Sequence, residues 1–182
     1  MHMETISEFD QPVVKAERFT LRPLRASDAG LITHYASEKR VAIMTSNLPH
    51  PYPPGAAEGF VEQMNASDRS EDAWVIDGIC SDGAELMGVI SLKRMDRNQT
   101  EIRYWVAPAF WNTGLASSTI PALLAANPND NDTMFAEVFQ DNPASARVLT
   151  NCGFTYLGDA ETFSIARNAN VPTWTYSKRL KP

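Results

Sequence analysis

The chain has 182 residues, 43% of them hydrophobic, and sets 16 Lys and Arg against 22 Asp and Glu for a net charge of −6. That length and apolar content suit one domain able to bury roughly 70% of its unfolded surface. The acidic balance argues against nucleic-acid binding, which uses basic patches, and no run of 18 apolar residues offers a membrane span.

Met1-His2 ahead of Met3 is expected to be a cloning remnant, with residues 1–17 an N-terminal extension and 18–182 a single domain. Residues 19–24, Phe-Thr-Leu-Arg-Pro-Leu, alternate apolar and polar side chains and predict a first strand. Ser27-Asp28 is placed to cap a helix carrying Leu31, Ile32 and Tyr35, and more helix is expected over 41–44. The Pro-rich stretch 49–54 is too short for a flexible linker and leads into a helix over 56–66 with Phe60, Val61 and Met64 on one face. Strands are predicted over 73–80 and 85–93, joined by a hairpin turn at Asp82-Gly83, and again over 101–106. Residues 115–126 read as a helix that Pro121 bends or starts, closed by the polar insert 127–132. A strand over 134–139, a helix over 143–151 and a hairpin of 162–166 with 173–178 complete the chain.

Two segments exceed what structure alone requires. In Asn142-Pro-Ala-Ser-Ala-Arg-Val-Leu-Thr-Asn-Cys-Gly-Phe154, Asn142 can cap a helix, Pro143 suits its first position and Gly153 can stop it. Ala146, Leu149 and Cys152 form an apolar stripe for Phe154 to fold against, which leaves Ser145 and Arg147 free to meet a ligand. In Trp111-Asn-Thr-Gly-Leu-Ala-Ser117, a strand-to-helix turn aims backbone N–H groups and the helix dipole at one point, an arrangement that suits a pyrophosphate. Gly114 allows close approach there, and Ala116 and Ser117 keep the helix mouth open. A P-loop is excluded, because no Gly-Lys-Ser/Thr follows. Cys80 and Cys152, 72 positions apart, read as reduced core thiols, and with three scattered histidines no metal site is expected.

These segments, in this order, resemble the GNAT N-acetyltransferases, and within them the branch that acetylates N-terminal amines of ribosomal proteins. The run from Asn142 is similar to that branch's Asn-x-x-Ser-x-Arg-Val-Leu-x-x-x-Gly-Phe pattern, and 111–116 to its Trp-Gly-x-Gly-x-Ala loop, with Asn112 where Gly is usual. The resemblance covers about residues 18–180. It implies an α/β fold with a central, mostly antiparallel, twisted sheet of six to seven strands flanked by helices, and a splayed cofactor-binding cleft. It also implies that acetyl-CoA is held by Val106, Ala107, Trp111, Asn112, Thr113, Gly114, Leu115, Ala116, Ser117, Asn142 and Ser145. The protein is then expected to be a cytoplasmic monomer or homodimer with an amine acceptor, either a protein N-terminus or a small molecule.

Acetylation needs a neutral amine, so a general base must take its proton. Residues 101–107, Glu-Ile-Arg-Tyr-Trp-Val-Ala, resemble the family strand Glu-Ile-Gly-Tyr-Trp, whose Glu is the recurrent base position, and this carries over to Glu101. Strand alternation puts Glu101, Arg103 and Trp105 on one face, and Ile102, Tyr104 and Val106 on the other. Arg103, where the family prefers Gly, either narrows the acceptor cleft, lowers the pKa of Glu101 or recognises an acidic substrate group; the alternative for Glu101 is a pair with Arg103 or another cation on a solvated sheet face. The slot that holds a leaving-group Tyr in many relatives is Leu149 here, so no acid is assigned. Residues 45–63 resemble the family's acceptor wall, with His50 and Tyr52 available to face the substrate. Three readings remain: a transferase for protein N-termini, one for small amines, and a coenzyme A-binding module without activity.

Overall fold

The computed structural model describes residues 11–182, so the expected cloning remnant lies outside the described residues. The strands are β1 Val14–Lys15, β2 Thr20–Pro23, β3 Glu71–Asp77, β4 Gly88–Met95, β5 Gln99–Val106, β6 Thr133–Phe139, β7 Thr155–Ser164 and β8 Ala169–Arg179. The helices are α1 Ala29–Ala36, α2 Lys39–Ala42, α3 Ala56–Met64, α4 Leu115–Ala126 and α5 Pro143–Asn151. All eight strands form one sheet in the order β1-β2-β3-β4-β5-β6-β8-β7. Every neighbouring pair is antiparallel except β5 and β6.

Helices cover both faces, and strand alternation divides the core accordingly. Trp74 and Ile76 of β3 point into a cluster with Leu115, Ile120 and Leu123 of α4 and Leu149 of α5. Their neighbours Ala73 and Val75 point the other way, into a cluster with Ile32 of α1 and Val61 and Met64 of α3. A strand covered on both sides reads as an almost unbroken buried run, as β3 does. Pro121 lies within a continuous α4, on its exposed side, where the Ser117 carbonyl it leaves without a donor is on the solvated face.

A buried ion triad ties β2 and β3 to the start of α1. Arg22 Nε donates to Asp77 Oδ2 at 2.7 Å, and its two terminal nitrogens reach Asp28 at 2.9 and 2.8 Å. Asp28 therefore does not cap α1 as expected. Its carboxylate turns back to Arg22 and to the Arg25 backbone N–H at 2.7 Å.

The 73–80 strand ends earlier than expected, at Asp77, because Ile79–Ser81 closes a tight turn in which Gly78 N–H and Gly83 N–H are both satisfied within the loop. The left-handed residue of that turn is Asp82, at φ 58°, rather than Gly83. Cys80 sits in this turn and is exposed, so it is not a core thiol as expected; Cys152 is half-buried, and neither forms a disulfide.

Gly88 is the tightest position in the sheet. A Cβ there would lie 2.4 Å from the Trp105 carbonyl oxygen and 3.1 Å from Val106 Cα, both backbone atoms that cannot move aside alone. Gly88→Ala is expected to cost about 3 kcal/mol in urea unfolding, at the upper end for overpacking. A loss under about 0.5 kcal/mol would show that β5 shifts freely.

Candidate active site

The parallel ladder between β5 and β6 lasts three residues, Gln99 to Glu101 against Thr133 to Phe135. Beyond it the strands diverge. β5 stays paired to β4 as far as Val106, and β6 to β8 as far as Phe139. Two cavities occupy the opening, sharing Met44, Thr45, Tyr104, Trp105, Asn142 and Ser145.

One cavity, of about 350 Å³, lies between the end of β5 and the first turns of α4 and α5. The approach to α4 bends through Asn112 at φ 59° and Gly114 at φ 77°, so Asn112 takes the left-handed geometry that its type tolerates. No side chain caps α4, and a Cβ at Gly114 would meet nothing within 4 Å. The first N–H groups of α4 are therefore turned toward this cavity without side-chain partners. α5 begins beside them. Asn142 Oδ1 accepts from Ser145 N–H at 3.4 Å, and at the far end Gly153 N–H donates to the Thr150 carbonyl and Phe154 N–H to the Leu149 carbonyl, a Schellman stop.

The other cavity, of about 240 Å³, runs through the opening to the α1–α3 side of the sheet, where Ile32 and Phe60 line it. Glu71, Glu101, Arg103 and Glu137 bring its charge, and residues from 44–49 together with Tyr52, Ala56 and Phe60 form a wall. Arg103 Nε donates to Glu101 Oε1 at 3.0 Å. Ser91 Oγ donates to Glu71 at 2.5 Å, and Thr162 Oγ1 to Glu137 Oε2 at 2.8 Å. The β7–β8 turn braces the 43–46 segment from behind: Ile165 N–H donates to the Ser46 carbonyl, Arg167 Nε to the Ile43 carbonyl at 2.9 Å, and the Arg167 guanidinium takes Asp141 in a forked pair at 2.6 and 3.2 Å. That guanidinium holds the Asp141 carboxyl below its usual range.

Most of the residues expected at the cofactor face one space. Val106, Trp111, Asn112, Gly114, Leu115, Ala116, Ser117, Asn142 and Ser145 all line the 350 Å³ cavity. Ala107 and Thr113 do not: Ala107 is fully buried with its N–H given to the Met87 carbonyl, and Thr113 turns its hydroxyl to the Phe110 carbonyl. Ala107 thereby leaves Val106 N–H on the side away from β4. The Val106 carbonyl accepts from Trp111 Nε1 at 2.7 Å. Ser145 is not unengaged as expected, because its Oγ accepts from the Tyr104 hydroxyl at 3.2 Å across the opening. Burial raises the Tyr104 pKa, partly offset by that bond, so its proton is retained. Glu101 lines the acid-bearing cavity, as does Tyr52, while His50 is exposed and lines neither. Glu71, Glu137, Thr162 and Thr173 also line that cavity, and no sequence signal singled them out. Isolated polar residues in separate strands converge only once the register is known.

Residues 18–155 match the family described as the acetyltransferase (GNAT) domain. The chain belongs to that family. Its fold is shared with the microcin C7 self-immunity acetyltransferase MccE in complex with acetyl-CoA and AMP, at 17% identity and TM-score 0.77 over 90% of this chain and 93% of that one. It is shared likewise with the ribosomal L7/L12 alpha-N-protein acetyltransferase RimL in complex with coenzyme A, at 16% and 0.78 over 92% and 98%. The spermidine N-acetyltransferase from Vibrio cholerae, in complex with CoA and spermine, aligns at 19% and 0.72 over 87% and 94%. No curated protein matches the sequence. Among the described residues no helix is long and apolar enough to cross a membrane, and no group of three or more His, Cys, Asp or Glu is placed to hold a metal ion.

Asn142→Ala removes the only side-chain cap of α5. It is expected to cost about 1 kcal/mol, or roughly 3 °C in a thermal melt followed by circular dichroism. An unchanged melting temperature would show that Pro143 and tertiary packing start the helix unaided.

Proposed function

We propose that this protein is an acetyl-CoA-dependent N-acetyltransferase that modifies a primary amine by direct transfer, with donor and acceptor bound together. The observation that carries the reading is the convergence of the N-termini of α4 and α5 on one cleft that runs into an acid-bearing cavity. Partial positive charge from two helix dipoles and uncapped N–H groups suit the phosphates of coenzyme A. The residues that would hold it are those lining the cleft from Val106 to Ser117, with Asn142 and Ser145. When bound, acetyl-CoA supplies an acetyl thioester.

The chain's own groups divide the remaining work. Glu101 Oε1 is fixed by Arg103, which leaves Oε2, without a partner among the described residues, to take the acceptor's proton directly or through water. Ser145 Oγ receives the Tyr104 hydrogen bond where the cavities meet, so it can offer its own proton toward the cofactor side. Neither cysteine lines either of these two cavities, which favours direct transfer over an acyl-enzyme.

Glu101→Gln is expected to lower kcat/KM for the amine by about 10²- to 10⁴-fold, the usual worth of a general base, with coenzyme A affinity within twofold of the parent. Thiol release from acetyl-CoA and calorimetric titration of coenzyme A check the two halves. Parental turnover in the variant would reject Glu101 as the base, and absence of coenzyme A binding by the parent protein would reject the activity as a whole.

A further inference from the structure

The far wall of the acid-bearing cavity carries polar groups that proton removal at Glu101 does not use. Thr173 of β8 is 1% exposed and lines this cavity, and its Oγ1 has no hydrogen-bond partner. A buried hydroxyl without a partner is destabilising, so an orphan at a cavity wall points to a ligand atom that completes it. Register places it well for that. Thr173 lies opposite Phe139 of β6, and Glu137 precedes Phe139 by two residues on the same strand face. The Glu137 carboxylate is steadied by Thr162 Oγ1 at 2.8 Å, and it forms no salt bridge among the described residues.

The charge around the space has one sign. Its lining holds three carboxylates, Glu71, Glu101 and Glu137, against the single cation Arg103, a balance of 1 − 3 = −2. Arg103 is committed to Glu101, so Glu137 has no cation of its own. Glu101 faces Phe135 in the parallel ladder, two residues before Glu137 on β6. With about 3.3 Å of rise per residue and about 4.8 Å between strands, the two Cα atoms stand about 8 Å apart, and more as the strands spread.

We propose that Glu137 and Thr173, with Thr162 orienting the carboxylate, form a subsite for a second ammonium group of the acceptor, so that the preferred acceptors carry two amines joined by a short flexible spacer. This rests on the reading of the protein as an amine acetyltransferase, in which Glu101 serves the reacting nitrogen. An ammonium has three N–H donors and no acceptor. Glu137 takes one donor and supplies the countercharge, Thr173 Oγ1 takes another, and the third is left for water. A monoamine fills only the Glu101 end and leaves the Thr173 hydroxyl orphaned. The same second ammonium is presented by a free diamine or by a Lys side chain next to a peptide's N-terminal amine.

Calorimetric titration of 1,4-diaminobutane and of 1-aminobutane into the coenzyme A-saturated protein tests the proposal. The diamine is expected to bind at least tenfold more tightly than the monoamine. Glu137→Gln and Thr173→Val are each expected to weaken the diamine at least fivefold and to leave the monoamine unchanged. Thr173→Val is also expected to melt no lower than the parent, since a methyl replaces an unpaired hydroxyl, which separates lost binding from lost folding. Equal affinity for the two amines, or variants that bind the diamine like the parent, would overturn the subsite. Peptides beginning Ala-Lys and Ala-Ala distinguish the sources. A tenfold preference for Ala-Lys that Glu137→Gln abolishes assigns the subsite to a protein N-terminus, and a response to the diamine alone assigns it to a free diamine. A parallel titration in which coenzyme A fails to bind would remove the acetyltransferase reading itself, while the comparison of the two amines in the ligand-free protein still decides the subsite.

Discussion

The molecule is organised by a ladder that stops. β5 and β6 are hydrogen-bonded over three residues and then part, each kept straight by its other neighbour. A continuous sheet would offer no opening at its centre. The early end of this pairing exposes strand edges that would otherwise be satisfied, and it admits side chains and helix termini from both faces. Gly88 is part of the same constraint, because only a residue without a Cβ lets β4 hold β5 so closely beside the opening. The core clusters on either face keep the two halves of the sheet in place while leaving the gap unfilled.

The gap is polarised. On the α4–α5 side the lining offers helix N-termini and open backbone, and on the α1–α3 side it offers carboxylates. One half therefore favours anions and the other favours cations. A phosphate-bearing acyl donor and a protonated amine have these opposite charges. The Tyr104–Ser145 hydrogen bond lies at the boundary, joining β5 to α5 across the opening. The β7–β8 turn, clamped by Arg167 to Asp141 and to the Ile43 carbonyl, braces the chain just ahead of Met44, Thr45 and Ser46, which line the acidic half. The position of each charged group thus follows from strand register and from which helix begins where.

Much of this was legible in the sequence where local signals agree. The sequence marks the helix over 143–151 to the residue, because Asn142, Pro143 and Gly153 flag both its ends, and the polar insert after Ala126 marks where the helix over 115–126 stops. The face assignment in β5 followed from alternation alone. Local reading failed where tertiary contacts decide. Thr155–Ser164 is one long strand, although only its end was expected, because Gly158 and Asp159 mimic a turn and the ladder absorbs them with a register shift near Tyr156. Val14–Lys15 is too short to carry a pattern. Asp28 carries a capping signature, yet its carboxylate is held by Arg22, and that pairing depends on a partner six residues away in another element. Glu137 and Thr173 are ordinary strand residues in sequence and become a site only when β6 and β8 are paired.

The central claim is that the opening between β5 and β6 is where the anionic acyl donor binds. Amide chemical shifts of the ¹⁵N-labelled protein, followed while coenzyme A is added, test it most directly. The account predicts perturbations concentrated at Val106, at residues 112–117 and at Asn142, Ala144 and Ser145, on both sides of the opening and at the start of both helices. Shifts clustered on another surface, with these amides unmoved at saturating coenzyme A, would contradict it.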